Sequence, residues 1–438
     1  MRLAHYPLPS VLPLVLVLAA CAPAAQPTPT SPPTPTRPPA AQPTQAPAYA
    51  TPVSRLVGEI TVWAMGTEGE KLGVLAKDFM DRYSDVKVSV TAIPWDQAHD
   101  KILTAIAARQ TPDMSLVGTT WMGEFAKTGA LDPVPATFDK SQFFEGAWST
   151  NVVGEVAYGV PWYVETRLIY YRTDIAEKAG YGQPPATWED LKAMARAMQE
   201  KGGSKWGINL QAGGTGSWQT YLPFVWSNGG DVLGPDGKFM LNSPEAAEAL
   251  AYYQSFFKEG LAPTSLPDGA LVPGFVDGSI PMFISGPWFI GILKEQGGAR
   301  IEGRWGLAPM PRKKTASSFV GGGNLAVFKD SKNREVAWKF AEFLTDPATQ
   351  VKWYAIATDL PSVQAAWSDR TISADQRVAR FGEQLKDARS APAIPSWEEV
   401  ASAIDDQVAQ ATRGQATAQQ AADAMQQKAE EIGTGLSR

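Results

Sequence analysis

Between residues 59 and 117 the hydrophobic period alternates between two and 3.6, and that alternation constrains the fold more than any other feature. In Glu59-Ile-Thr-Val-Trp-Ala64, Ile60, Val62 and Ala64 face one way and Thr61 and Trp63 the other, the pattern of a strand. Gly66-Thr-Glu-Gly69 reads as a turn. From Lys71 to Tyr83 the residues Leu72, Leu75, Phe79 and Tyr83 share one helical face. Val86–Ile93 alternates again, 97–109 reads as a helix through Ile102, Ala105 and Ile106, and 113–117 as a short buried strand. A βαβαβ rhythm predicts an α/β fold with a mostly parallel sheet flanked by helices.

The rhythm continues. Residues 160–171 read as extended. Thr187-Trp-Glu-Asp190 has the spacing of a capping box opening a helix to Glu200. Ser243-Pro-Glu places an N-cap and a first-turn proline before a helix ending near Gly260. Strands are expected at 278–285 and 324–328 and helices at 334–344 and 417–432, the last with Ala421, Met425, Ala429 and Ile432 on its apolar face. No internal repeat is evident.

The first fifty-four residues have a different character. The apolar run Val11–Ala20 is too short to span a hydrocarbon core of ~30 Å and matches the apolar region of a signal peptide, assigned to residues 1–20. It ends Leu18-Ala19-Ala20-Cys21, which resembles a bacterial lipobox. That resemblance implies lipidation of Cys21 and an extracytoplasmic anchor in the cell membrane. Residues 21–54 hold eleven prolines among Thr, Ala and Gln, too few apolar groups for a core. They read as a linker favouring polyproline II, a stalk of roughly 100 Å when extended.

Composition excludes several functions. Two of the 39 basic residues and none of the 45 acidic ones fall in 1–54, so the remainder is more acidic than the overall net charge of −6. With no basic block, a nucleic-acid partner has no electrostatic footing. The single cysteine, Cys21, rules out an intrachain disulfide and a cysteine zinc site. Beyond His5 only His99 remains, so multi-histidine metal sites are excluded and no metal or cofactor is expected. Fifteen tryptophans are more than burial alone requires, and such rings suit the flat faces of sugars.

Several ordered motifs then converge: Thr111-Pro-Asp-Met, the run from Tyr158 to Arg172, Pro185-Ala-Thr-Trp-Glu-Asp-Leu191, Asn228-Gly-Gly-Asp, Gly278-Ser-Ile-Pro-Met-Phe-Ile-Ser-Gly-Pro-Trp288 and Gly321-Gly-Gly-Asn-Leu-Ala-Val327. In this order they resemble the extracellular solute-binding proteins of ABC importers, specifically the maltose/trehalose-type sugar binders, over nearly all of 55–438. The resemblance implies a two-lobed periplasmic-binding-protein fold with hinge crossovers near 164–168, 320–324 and 366–370. One lobe would hold 55–164 and 324–366, the other 168–320 and 370–438. A sugar would bind in the central cleft, the lobes closing over it. The implied partner is an ABC transporter permease, and the chain is expected to act as a monomer without chemistry of its own.

Candidate ligand residues follow. Trp288 sits where the family stacks a tryptophan on a sugar ring, with core packing as the alternative. Thr119, Thr120 and Trp121 follow the 113–117 strand, and Trp95 and Gln97 follow the 86–93 strand. Tyr163, Glu165 and Arg167 alternate, so their side chains point one way. Glu165 matches a family sugar contact, with a structural Glu–Arg pair as the alternative. Glu68 stands ahead of a helix N-terminus, where an acid also serves stability. Gly213-Gly-Thr-Gly-Ser-Trp218 lacks the Lys-Ser/Thr ending of a phosphate loop and reads as a flexible segment carrying Trp218 into the cleft. Gly322, Gly323 and Asn324 bring backbone close, and Trp397 aligns loosely with a stacking residue.

Two other classes stay open on sequence alone. One is a secreted glycoside hydrolase working with two carboxylates. The other is the same fold binding a quaternary ammonium osmolyte in an aromatic cage, or glycerol phosphate.

Overall fold

The computed structural model describes residues 55–436 except Asp268. The signal peptide, Cys21 and the linker lie outside the described residues. Twelve strands occur among those described. Strands β1 (Gly58–Met65), β2 (Val86–Ile93) and β3 (Met114–Gly118) arise where the period-2 pattern predicts them. After a two-residue hairpin, β4 (Val152–Val153) with β5 (Val156–Ala157), come β6 (Val160–Thr166) and β7 (Leu168–Arg172). The others are β8 (Met282–Ser285), β9 (Trp305–Ala308), β10 (Ser318–Val327), β11 (Leu360–Pro361) and β12 (Ala388–Arg389).

Two sheets organise the molecule. The larger runs β11-β6-β10-β3-β1-β2, with β12 on the outer end of β10, and the smaller runs β8-β7-β9. Only Arg167 separates β6 in the first sheet from β7 in the second. The mostly parallel sheet expected from sequence is corrected. β1 pairs parallel with β2 and β3, but β10 runs antiparallel to β3 and β6, and the smaller sheet is antiparallel throughout. The βαβ argument holds where helices connect consecutive strands. It fails where the chain returns from the other sheet, because the returning strand needs no helical crossover.

Helix signals are read with uneven success. Thr187 and Thr417 form capping boxes, Ser243 accepts from the Ala246 amide, and helix 334–344 lies where expected. The expected turn at 66–69 is instead a short helix, Gly66–Lys71, followed at once by Gly73–Arg82. The strand expected at 324–328 is the second half of β10. Its first half runs through Gly321-Gly-Gly323, which carry no side chains to show a period. Within this strand Gly322 has a φ of +128°, and a Cβ there would lie 2.2 Å from the Tyr163 carbonyl oxygen.

Each sheet has its own core. Against the larger one pack Ile60, Val62, Phe79, Trp162, Leu325, Phe340 and Trp353, with Trp162 and Trp353 stacked at 4.8 Å. A helical core holds Trp188, Tyr221, Phe224, Tyr253, Trp397 and Met425. A third cluster, including Val164, Leu168, Tyr170, Phe283, Val320 and Phe381, spans the junction between the sheets.

Candidate functional site

Three parallel strands end side by side, and the residues just beyond their carboxyl ends form one wall of a cleft. This is where open α/β sheets bind ligands. β1 leads to Glu68, β2 to Trp95, and β3 through Gly118 to Thr119, Thr120 and Trp121. A cavity of about 260 Å³ is lined by Trp95, Gly118, Thr119, Thr120, Trp121, Tyr163, Glu165, Gln219, Phe319, Gly321 and Gly322. Residues from both sides of the β6–β7 junction therefore meet in it. A wider groove, about 1150 Å³, lies between residues 140–152 and 385–392, but it gathers none of the candidate side chains.

The aromatic wall is built in depth. Trp95 and Trp121 meet edge to face at 5.6 Å. Behind Trp121 stands His99, 5.3 Å away ring to ring and stacked on Phe125 at 5.4 Å. The His99 Nε2 lies 2.8 Å from Glu124 Oε2, which fixes the imidazole against the indole. The sequence singled out His99 only as a lone histidine; its supporting position comes from two helices that the sequence could not dock.

Glu165 is the acid in the lining; Glu68 and Asp359 are not among the lining residues. Burial pushes the Glu68 carboxyl above its ordinary value, with the nearby Tyr163 and Trp95 opposing that rise. Burial, then the charges of Glu68, Asp359 and Glu165, hold the Tyr163 phenol well above its usual range, so it remains a donor. Asp359, absent from the sequence candidates, accepts from Trp353 Nε1 at 3.0 Å and is pushed up to about 8 by burial and by the charge of Glu68. The glycine run of β10 closes the floor. A Cβ on Gly321 would meet Glu165 Oε1 at 2.8 Å, and one on Gly323 would meet Leu116 and Tyr163.

Trp288 and Arg167 stand beside this cavity. Trp288 opens helix Trp288–Gly297 and is 42% exposed, the most exposed tryptophan among the described residues. The Arg167 guanidinium lies 4.7 Å from its ring centroid, donates to Gln219 Oε1 at 2.5 Å, and has Nη1 3.2 Å from Glu165 Oε2. Gln97 is exposed on the surface and does not line the cavity.

Four candidates are placed elsewhere. Trp218 is 4% exposed and Trp397 1%, and they pack edge to face at 4.9 Å in the helical core. The cavity is reached one residue later, by Gln219. The segment before it is pinned: Asp405 accepts from the Gly216 amide, the Ser217 hydroxyl and the Trp218 amide, each at 2.7 Å. Asn324 is buried and spends its amide on Thr150 and Asn151, so it serves packing between β10 and residues 150–151. Gly323 lies beneath Leu116 and Tyr163, outside the cavity lining.

Among the described residues no group of three metal-ligating side chains occurs, and no helix is long and apolar enough to cross a membrane.

Comparison with known proteins agrees with this geometry. Residues 65–351 match the family described as bacterial extracellular solute-binding protein. A Brucella abortus protein described as a binding protein is 31% identical over 74% of this chain and 80% of its own length. The galactooligosaccharide-binding protein of Bacillus subtilis is 26% identical over 83% of this chain and 87% of its own. Among solved structures, the sugar-binding protein MalE from Xanthomonas citri superposes with a TM-score of 0.80 at 30% identity, covering 86% of this chain and 97% of that one.

Proposed function

The chain belongs to the bacterial extracellular solute-binding proteins, and from that premise we propose that it captures a neutral saccharide in the cleft and delivers it to an ABC transporter permease. Its fold is the two-lobed binding-protein fold of MalE, and it is a binding protein rather than an enzyme. The carrying observation is the cavity itself. Two indoles, a threonine pair, a protonated phenol and a carboxylate converge there from the β6 side of the junction, and Gln219 and Phe319 meet them from the β7 side. Rings offer stacking faces, and the polar groups orient hydroxyls, the usual division of labour in a pocket. Relatives named for maltotriose and galactooligosaccharide binding point the same way.

The acid narrows the class. Glu165 is the acid that lines the cavity, while Arg167, beside it, already faces Glu165. A phosphate or uronate would enter against the Glu165 carboxylate, with Arg167 already committed to it, so a neutral sugar fits better than glycerol phosphate. The threonines and Glu165 argue for hydroxyl recognition over an osmolyte cage.

The lobe division follows the sequence reading: 55–164 with 324–366, and 168–320 with 370–438. The passage from β6 to β7 through Arg167 supports the first crossover. Anchoring through a lipidated Cys21 after removal of 1–20, a linker over 21–54 and a monomeric state belong to the same proposal.

The test is calorimetric titration of the 55–438 fragment with maltose, trehalose, cellobiose, xylobiose, glucose, glycine betaine and glycerol phosphate. Saturable binding confined to neutral sugars supports the assignment. Binding only of betaine or glycerol phosphate overturns the substrate.

A further inference from the structure

We infer that Arg167 is a positioning residue for Trp288: the hinge guanidinium is the fixed backing of the cleft's exposed indole, rather than a group that grips the ligand. The inference rests on the saccharide reading above and deepens it. Arg167 is the single residue between β6 and β7, and its side chain is 10% exposed. Its guanidinium carbon lies over two rings, Trp288 at 4.7 Å and Phe319 at 5.3 Å from the centroids. One edge donates to Gln219 and the other faces Glu165. Nη1 makes no hydrogen bond but is buried 3.2 Å from Glu165, so little of the group is exposed to meet a ligand.

The backing is itself supported. Phe319 stands at 90° to Trp218, 5.2 Å away, and Trp218 packs on Trp397. Thus the two buried tryptophans end a column that runs Trp397, Trp218, Phe319, Arg167, Trp288. At the outer end the six-membered edge of Trp288 lies on Gly286, where a Cβ would come within 2.0 Å of the ring. The Gly286 carbonyl accepts from the buried Tyr170 hydroxyl at 2.6 Å, which holds that backbone in place. The ring is therefore fixed at its edge and on one face, and its exposure leaves the other face open for stacking. A planar, always charged guanidinium suits this position, because it stacks on indole while keeping its edges for hydrogen bonds; an ammonium cannot do both.

A double-mutant cycle on the 55–438 fragment tests the assignment, using R167A, R167K, W288A and the R167A/W288A pair. The readouts are affinity for the tightest neutral disaccharide and the ¹⁹F spectrum of 5-fluorotryptophan-labelled protein without ligand, with the Trp288 resonance assigned through W288F. R167A should weaken binding about tenfold alone and less than twofold when Trp288 is already gone. The Trp288 resonance should shift or broaden in R167A and in R167K, since lysine restores charge without the planar stack. Additive losses would instead make Arg167 a ligand contact through Nη1, and an unmoved Trp288 resonance would equally overturn the inference. Should R167A unfold, as judged by melting, R167K carries both readouts. If the wild-type fragment bound no saccharide, the proposed function would fail, while the fluorine resonance would still decide whether Arg167 sets Trp288.

Discussion

Trp95 and Trp121 meet at 60° with centroids 5.6 Å apart, each placed just beyond the carboxyl end of its own parallel strand. Neither ring depends on the other's strand, so the pair forms only once β2 and β3 flank β1 in register. Trp121 is the better supported of the two, with His99 and Phe125 behind it. Replacing Trp121 by Ala should weaken sugar binding by about 1–3 kcal/mol, the range for a buried aromatic anchor. Calorimetry on W121A and W95A checks this, with the larger loss expected for W121A.

Asp359 predicts a pH dependence of stability. Its carboxyl is pushed up to about 8, chiefly by burial and then by Glu68, with Glu165 adding to this and Lys71 and the Trp353 hydrogen bond opposing it. Between about pH 4 and pH 8 the folded protein keeps a proton there that the unfolded chain has released. Stability from this group therefore falls as pH rises through that window. Asp359→Asn keeps an acceptor for Trp353 and removes the titration. Its melting temperature should exceed the wild type's most at pH 8–9 and least near pH 4, measured by calorimetric scans across pH.

Asp405 ties the helical core to the cleft. It satisfies three donors at the start of helix Trp218–Ser227, so it sets where Gln219 enters the cavity. Asp405→Ala should cost about 2–4 kcal/mol, because three donors lose a charged acceptor in a largely buried place. Denaturant unfolding gives that loss. Weakened sugar binding in the folded fraction would report the displacement of Gln219.

Gly322 tests the floor. Alanine there would adopt a φ of +128° and press on the Tyr163 carbonyl. Gly322→Ala should destabilise by at least about 2 kcal/mol, combining backbone strain with a clash against backbone. Gly237→Ala, where the added carbon meets open space, is the contrasting control at another positive φ. Parallel urea titrations of the two variants separate strain from strain plus clash.

The part of the site built on β1, β2 and β3 was legible because local pattern alone determines it. A strand followed by a Trp or a Thr pair announces a strand-end loop, and Trp95, Thr120 and Trp121 line the cavity as that reading expects. Tyr163 and Glu165 were legible for the same reason, through their period-2 spacing. Trp218 and Trp397 were misread because a tryptophan at the start of a helix looks alike whether it faces a cleft or a core. Their partners, each other and Phe319, come from three distant segments. Gln219 was missed by one position, since the direction of this helix's first turn depends on Asp405, nearly two hundred residues away. Asp359 carried no local signal at all. The antiparallel passage of β10 between β3 and β6 was hidden by its glycines and by a chain path that local periodicity does not encode.

The central claim is that the cleft holds a neutral saccharide against tryptophan rings and returns it intact. Equilibrium dialysis of the 55–438 fragment against a labelled neutral disaccharide, with chromatography of the recovered sugar, tests it most directly. The account predicts one sugar bound per chain, full recovery of unchanged sugar, and loss of binding in a W121A/W288A double variant. Cleaved sugar, or undiminished binding in that variant, would contradict it.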